Sequence, residues 1–162
     1  MKRSLRKLIR ARAQRRCEYC QLHEDDLPAT PFHVEHILPK KHGGKDDPKT
    51  LAWSCQFCNL SRSSNLSGRD IETGRIVTLF NPRRQRWERH FAWDGAMLTG
   101  LTACGRATID VLNMNTSHRV ELRTLLTHVP HPNFGVETSY ASQNPDIKGV
   151  FTYINKINNL LQ

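Results

Sequence analysis

Four cysteines in two C-x-x-C pairs, Cys17-Glu18-Tyr19-Cys20 and Cys55-Gln56-Phe57-Cys58, constrain this chain more than any other feature. Two knuckles of this kind supply the four thiolates of a tetrahedral, structural zinc site. A redox dithiol would account for either knuckle alone, but not for two. The pairs stand further apart than in a minimal zinc finger, so a segment is inserted between the two halves of the site. Cys104 is left over and reads as a buried thiol.

Length and charge bound the rest. The chain has 162 residues, enough for one compact domain or a small domain with extensions. No segment approaches the ~18–20 uninterrupted apolar residues of a membrane helix. The basic start, MKRSLRKLIRARAQRRC, has no apolar stretch of a secretory signal, so the expected location is the cytoplasm, where disulfides are rare. Lys plus Arg number 24 against 15 Asp plus Glu, a net charge of +9. The excess is clustered in residues 1–16, which hold no acid, and in NPRRQRWERH. Clustered cations suit a polyanion, since each neutralised phosphate releases counterions. A solvated basic face is the plainer alternative.

Periodicity gives the elements. Leu5, Leu8 and Ile9 predict a helix over 4–16 with one packing face and one basic stripe. Pro28 and Pro31 punctuate a loop. FHVEHIL alternates as a strand, with Phe32 and Val34 on one face and His33 and Glu35 on the other. PKKHGGKDDPKT is a loop, LAWS a second short strand, and a helix is expected from about Asn59. Thr73-Gly74 and Asp94-Gly95 read as turns, with RIVTLF and AMLTGLT as strands. GRATIDVLNMN begins a helix, and Leu122, Leu125, Leu126 and Val129 predict another from Ser117 to His128. Beyond Pro130 the pattern fades.

The insert carries chemistry. The strand delivers Glu35 and His36 at its end, and the second knuckle is followed at once by Asn59. Glu35 and Asn59 are hard oxygen ligands of the kind Mg²⁺ or Mn²⁺ takes, leaving positions for water and phosphate. His36 beside such an ion can take a proton from water, its free pKa lying near neutral. Together these residues read as metal-assisted phosphodiester hydrolysis. Taken singly, each has a plainer role: a core histidine for His36, a salt bridge to the basic helix for Glu35, a helix N-cap for Asn59.

HVEHILPKKHGG followed by DDPKTLAWSCQFCN, flanked by the two C-x-x-C pairs, resembles the HNH endonucleases, the ββα-metal or His-Me finger nucleases. The resemblance covers residues 11–126, with 17–66 its specific part, and its C-terminal portion resembles an extension found in small bacterial HNH proteins. It implies an α+β fold: a ββα-metal core stapled by a four-cysteine zinc site (Cys17, Cys20, Cys55, Cys58), a basic N-terminal helix, and a C-terminal strand–helix extension. The implied organisation is 1–16 basic helix, 17–66 nuclease core, 67–129 extension packed on the core, and 130–162 a tail of unassigned role. The implied activity is divalent-metal-dependent cleavage of DNA, in preference to RNA, leaving 5′-phosphate and 3′-hydroxyl ends. His36 is the implied base, with Glu35 and Asn59 as Mg²⁺ or Mn²⁺ ligands and zinc purely structural. Arg62 and the helix residues Arg6, Arg10 and Arg12 are expected on the DNA backbone, with His33 and His42 in support. The C-terminal region is the expected place for a homodimer contact or a partner protein.

One core position departs from the family pattern. Where the motif has its middle Asn, which fixes the loop and helps hold the catalytic His, this chain has Thr50. A hydroxyl lacks the paired donor and acceptor of an amide. The rival expectation is therefore a zinc-stapled nucleic-acid-binding protein whose nuclease has decayed.

Overall fold

A computed structural model describes residues 2–28 and 30–128, with side chains to residue 126. The predicted tail, 130–162, lies outside the described residues. Helix α1 (Arg3–Arg12) buries Ile9 and stops earlier than its composition predicts, because Gln14 and Arg15 turn into the left-handed region (φ 50° and 62°) and swing the chain into the first knuckle. His23 caps a short turn, Glu24–Asp26, whose Asp26 carboxylate accepts from the His23 backbone N–H in return.

Strands β1 (Phe32–His36) and β2 (Leu51–Cys55) form an antiparallel hairpin in which Glu35 faces Ala52 and His36 faces Leu51. Helix α2 (Gln56–Arg62) follows β2 directly and packs on both strands. It begins at the second knuckle, not at Asn59 as the sequence predicts. Cys55 is its extended N-cap and Cys58 sits in its first turn, so knuckle and helix are one element. Asn59 is therefore inside the helix and not its cap. The two strands plus α2 are a ββα unit.

The loop between β1 and β2 is ordered by two short helical turns, Lys40–His42 and Pro48–Thr50. Its two glycines have separate reasons. Gly43 is left-handed at φ 86°, and a Cβ on Gly44 would lie 1.8 Å from the Leu38 carbonyl oxygen.

The extension adds hairpins β3 (Ser67–Arg69) with β4 (Ile76–Thr78) and β5 (Phe91–Asp94) with β6 (Met97–Gly100), then helices α3 (Ala103–Val111) and α4 (Ser117–His128). The predicted turns at Gly74 and Gly95 are present, and both glycines take positive φ. Tyr19 of the first knuckle, Trp53 of β2, Phe80 just past β4, Phe91 of β5, Leu112 at the end of α3 and Leu122 of α4 belong to one continuous apolar core. Trp87 donates its indole N–H to the Tyr19 carbonyl (2.8 Å), and Arg106 holds Asp70 with two nitrogens (2.7 and 2.9 Å), tying α3 to the β3–β4 hairpin. Cys104 is half-buried beside Gln85 rather than a core thiol. No helix among the described residues is long and apolar enough to cross a membrane.

Candidate active site and metal centre

The knuckles meet. Cys17, Cys20, Cys55 and Cys58 are all buried, and their four sulfurs lie within 4.8 Å of one another, with Cys20 and Cys55 3.7 Å apart. Sulfurs at ~2.3 Å from a tetrahedral Zn²⁺ stand roughly 3.8 Å apart, so the cluster fits that ion with little adjustment. Among the described residues it is the one group of three or more His, Cys, Asp or Glu side chains close enough to share a metal. Hydrogen bonds from Cys17, Cys55 and Cys58 push the Cys20 thiol well below its ordinary value, while burial pushes Cys17 and Cys55 up.

Sequence reading missed the neighbour that matters most to this cluster. Arg119, on α4 and only 1% exposed, donates to the Cys58 sulfur at 3.1 Å. Burial opposes its charge, but the sulfurs of Cys58, Cys20 and Cys55 more than offset that and hold its pKa above the ordinary arginine value. A buried arginine set against thiolates rather than a carboxylate is what a Zn(Cys)₄ centre of net negative charge calls for. The helical periodicity of α4 marks its leucines as core; nothing in it marks Arg119.

On β1, neighbouring side chains point to opposite faces. Glu35 points inward, 5% exposed, and its Oε1 accepts from Arg62 Nη1 at 2.5 Å. Its Oε2 is buried with no hydrogen-bond partner. Burial pushes the Glu35 carboxyl up to about 7, against the pull of the Arg62 guanidinium. Arg62, expected at a phosphate, is itself buried and also donates to the Ile37 carbonyl at 2.6 Å. It lies one turn beyond Asn59 on α2 and holds the end of β1 against that helix. Asn59 is half-buried, and its side chain makes no hydrogen bond among the described residues.

His36 points the other way, to the loop, where Nε2 lies 2.7 Å from Asp46 Oδ1. That hydrogen bond lowers the Asp46 carboxyl below its ordinary range. Thr50 Oγ1 lies 3.1 Å from the Lys45 carbonyl and 3.0 Å from that of Asp47, and the Thr50 carbonyl accepts from the Ile37 N–H. His33 is half-buried, its pKa lowered by burial and then by Arg6. His42 is exposed in the loop.

The helix arginines are largely engaged within the chain. Arg6 donates to the Phe32 carbonyl and lies 4.6 Å over the Trp53 ring. Arg10 pairs with Glu24, and Arg12 donates to the Pro48 and Leu51 carbonyls. Arg10 and Arg12 nevertheless keep 43% and 29% of their side-chain surface in solvent.

Residues 17–65 match the family model of the HNH endonucleases. The matched segment contains both knuckles, β1, the loop, β2 and α2, and it is consistent with membership of that family. No curated protein and no solved structure was found to match the chain.

Proposed function

We propose that the protein is a divalent-metal-dependent endonuclease that hydrolyses DNA phosphodiester bonds. The observation that carries the reading is the pairing, at the end of β1 in an HNH-type ββα unit, of an inward carboxylate that keeps an unpartnered oxygen with an imidazole facing the opposite side. Glu35 Oε2 and the Asn59 amide would hold Mg²⁺ or Mn²⁺, both being hard oxygen donors. When bound, the ion supplies charge stabilisation at the scissile phosphate. His36 takes the proton of the attacking water. Because Asp46 accepts from Nε2–H, the nitrogen left with a free lone pair is Nδ1. Arg62 acts through Glu35, engaging one carboxylate oxygen and leaving the other free. Arg6, Arg10 and Arg12 face the DNA backbone with the donors that their internal partners leave over, a guanidinium having five. Lys41, Lys45 and Lys49, exposed on the loop that carries the His36 partner, add further cations. The four cysteines hold zinc, which supports the fold and takes no part in the reaction.

A nucleic-acid-binding protein without nuclease activity is the second reading. It draws on the Glu35–Arg62 ion pair, which a second cation must share, and on Thr50. Cleavage of supercoiled plasmid by purified protein with Mg²⁺, with Mn²⁺ and with chelator decides between the two. Metal-dependent nicking supports the enzyme; a gel shift without nicking under any condition supports the binder.

A further inference from the structure

The position where the motif has its Asn is occupied by Thr50, whose hydroxyl is turned into the loop and faces the carbonyls of Lys45 and Asp47. It pins the loop, and its hydroxyl is spent on those carbonyls rather than on the His36 ring. That ring has another partner. Asp46 Oδ1 lies 2.7 Å from His36 Nε2, a short contact of the charge-assisted kind. A carboxylate can only accept, so the contact fixes the proton on Nε2 and sets the plane of the ring. The loop is built to deliver this group. Asp47 accepts from the Lys49 N–H in the next turn, the Thr50 N–H donates back to the Asp47 carbonyl, and Gly43 and Gly44 fold the preceding chain under Leu38. Lys40 stands 3.5 Å from the same Asp46 oxygen.

We infer that Asp46 is the positioning residue for His36, supplying from the loop the orientation that the motif Asn supplies elsewhere. This rests on His36 being the base of the proposed hydrolysis. The two jobs of one asparagine are divided here: Thr50 holds the loop and Asp46 holds the imidazole. The base is then the Nε2–H tautomer, its Nδ1 lone pair directed to the water. Asp46 acts through His36.

The test joins a spectroscopic readout to kinetics on the full chain with zinc bound. Imidazole ¹⁵N shifts of His36 at about pH 8, where a free imidazole is neutral, report which nitrogen carries the proton. The wild type is expected to show the Nε2–H form alone. Asp46→Ala is expected to give a mixture of tautomers, to lower kcat for plasmid nicking with Mn²⁺ by roughly ten- to a hundredfold, and to leave KM within about twofold. Asp46→Asn, which keeps an acceptor oxygen, is expected to restore most of both. Asp46→Ala with unchanged shifts, or with unchanged kcat, overturns the inference. So does a loss that appears only in KM or that Asn fails to rescue. A wild type that nicks nothing overturns the nuclease reading before any Asp46 variant is compared, and the shifts still decide whether Asp46 fixes the ring.

Discussion

At the scale of single residues, the proposed chemistry turns on how β1 treats two neighbours. Glu35 is driven into the interior and His36 toward the loop. A carboxyl held near pH 7 by burial is uphill to ionise, so the metal-free fold loses stability as pH rises from the ordinary carboxylate range through about 7. Metal needs the ionised form, and the sign for binding is therefore the reverse. Mn²⁺ affinity should rise about tenfold between pH 6 and pH 8 and then level off, and Glu35→Gln should abolish both the affinity and its pH dependence; titration followed by electron paramagnetic resonance reads both. Arg62→Ala leaves the Glu35 carboxyl buried without its counter-charge and should cost roughly 3 kcal/mol in denaturant unfolding at neutral pH. Glu35→Gln in that background should recover part of the loss. Glu35, His36 and Asn59 stand out in the sequence because they are the residue types that the proposed chemistry would require. The burial of Arg62 does not, since a lone arginine after a knuckle reads equally as a solvated cation.

At the scale of elements, the four-cysteine cluster is the joint between the ββα unit and the extension. The first knuckle leaves α1, the second starts α2, and α4 lays Arg119 on Cys58. Replacing Arg119 by Ala should speed zinc release to a chromogenic chelator by about tenfold, because a partner hydrogen-bonded to a metal ligand typically governs metal affinity on that scale. An unchanged release rate would mean that Arg119 only fills space. The bounds of α4 could be read directly from its leucines, and β1 from its alternation. The start of α2 could not, because a knuckle and a helix N-terminus share the same residues and the sequence presents them as separate signals. The end of α1 was equally hidden: its composition continues to favour helix where Gln14 and Arg15 turn left-handed.

For the whole molecule, one core joins both halves, so the described residues should unfold together. The buried Asp70 is held well below the usual carboxylate range by Arg106 and Thr73. Its contribution to stability is thus complete above about pH 4 and fades as pH falls below that. The melting-temperature gap between wild type and Asp70→Asn should be widest at neutral pH and should narrow below about pH 4; a gap that does not change with pH would place the effect in packing instead. The α+β class and the gathering of the four cysteines into one metal-sized cluster were legible from cysteine spacing, because thiolates that share one ion would leave the chain little choice. The way in which the basic N-terminus is spent was not. Net charge says how many cations there are, not that Arg6, Arg10 and Arg12 already hold carbonyls and Glu24.

The measurement that bears most directly on the central claim is plasmid nicking by the zinc-loaded protein, with Mg²⁺, with Mn²⁺ and with chelator, alongside His36→Ala. The expected result is cutting that needs the added metal and falls at least a hundredfold in the variant, while both proteins shift DNA equally in a gel. Equal DNA binding with no cutting by either protein in any metal would contradict the account and leave a binding protein in its place.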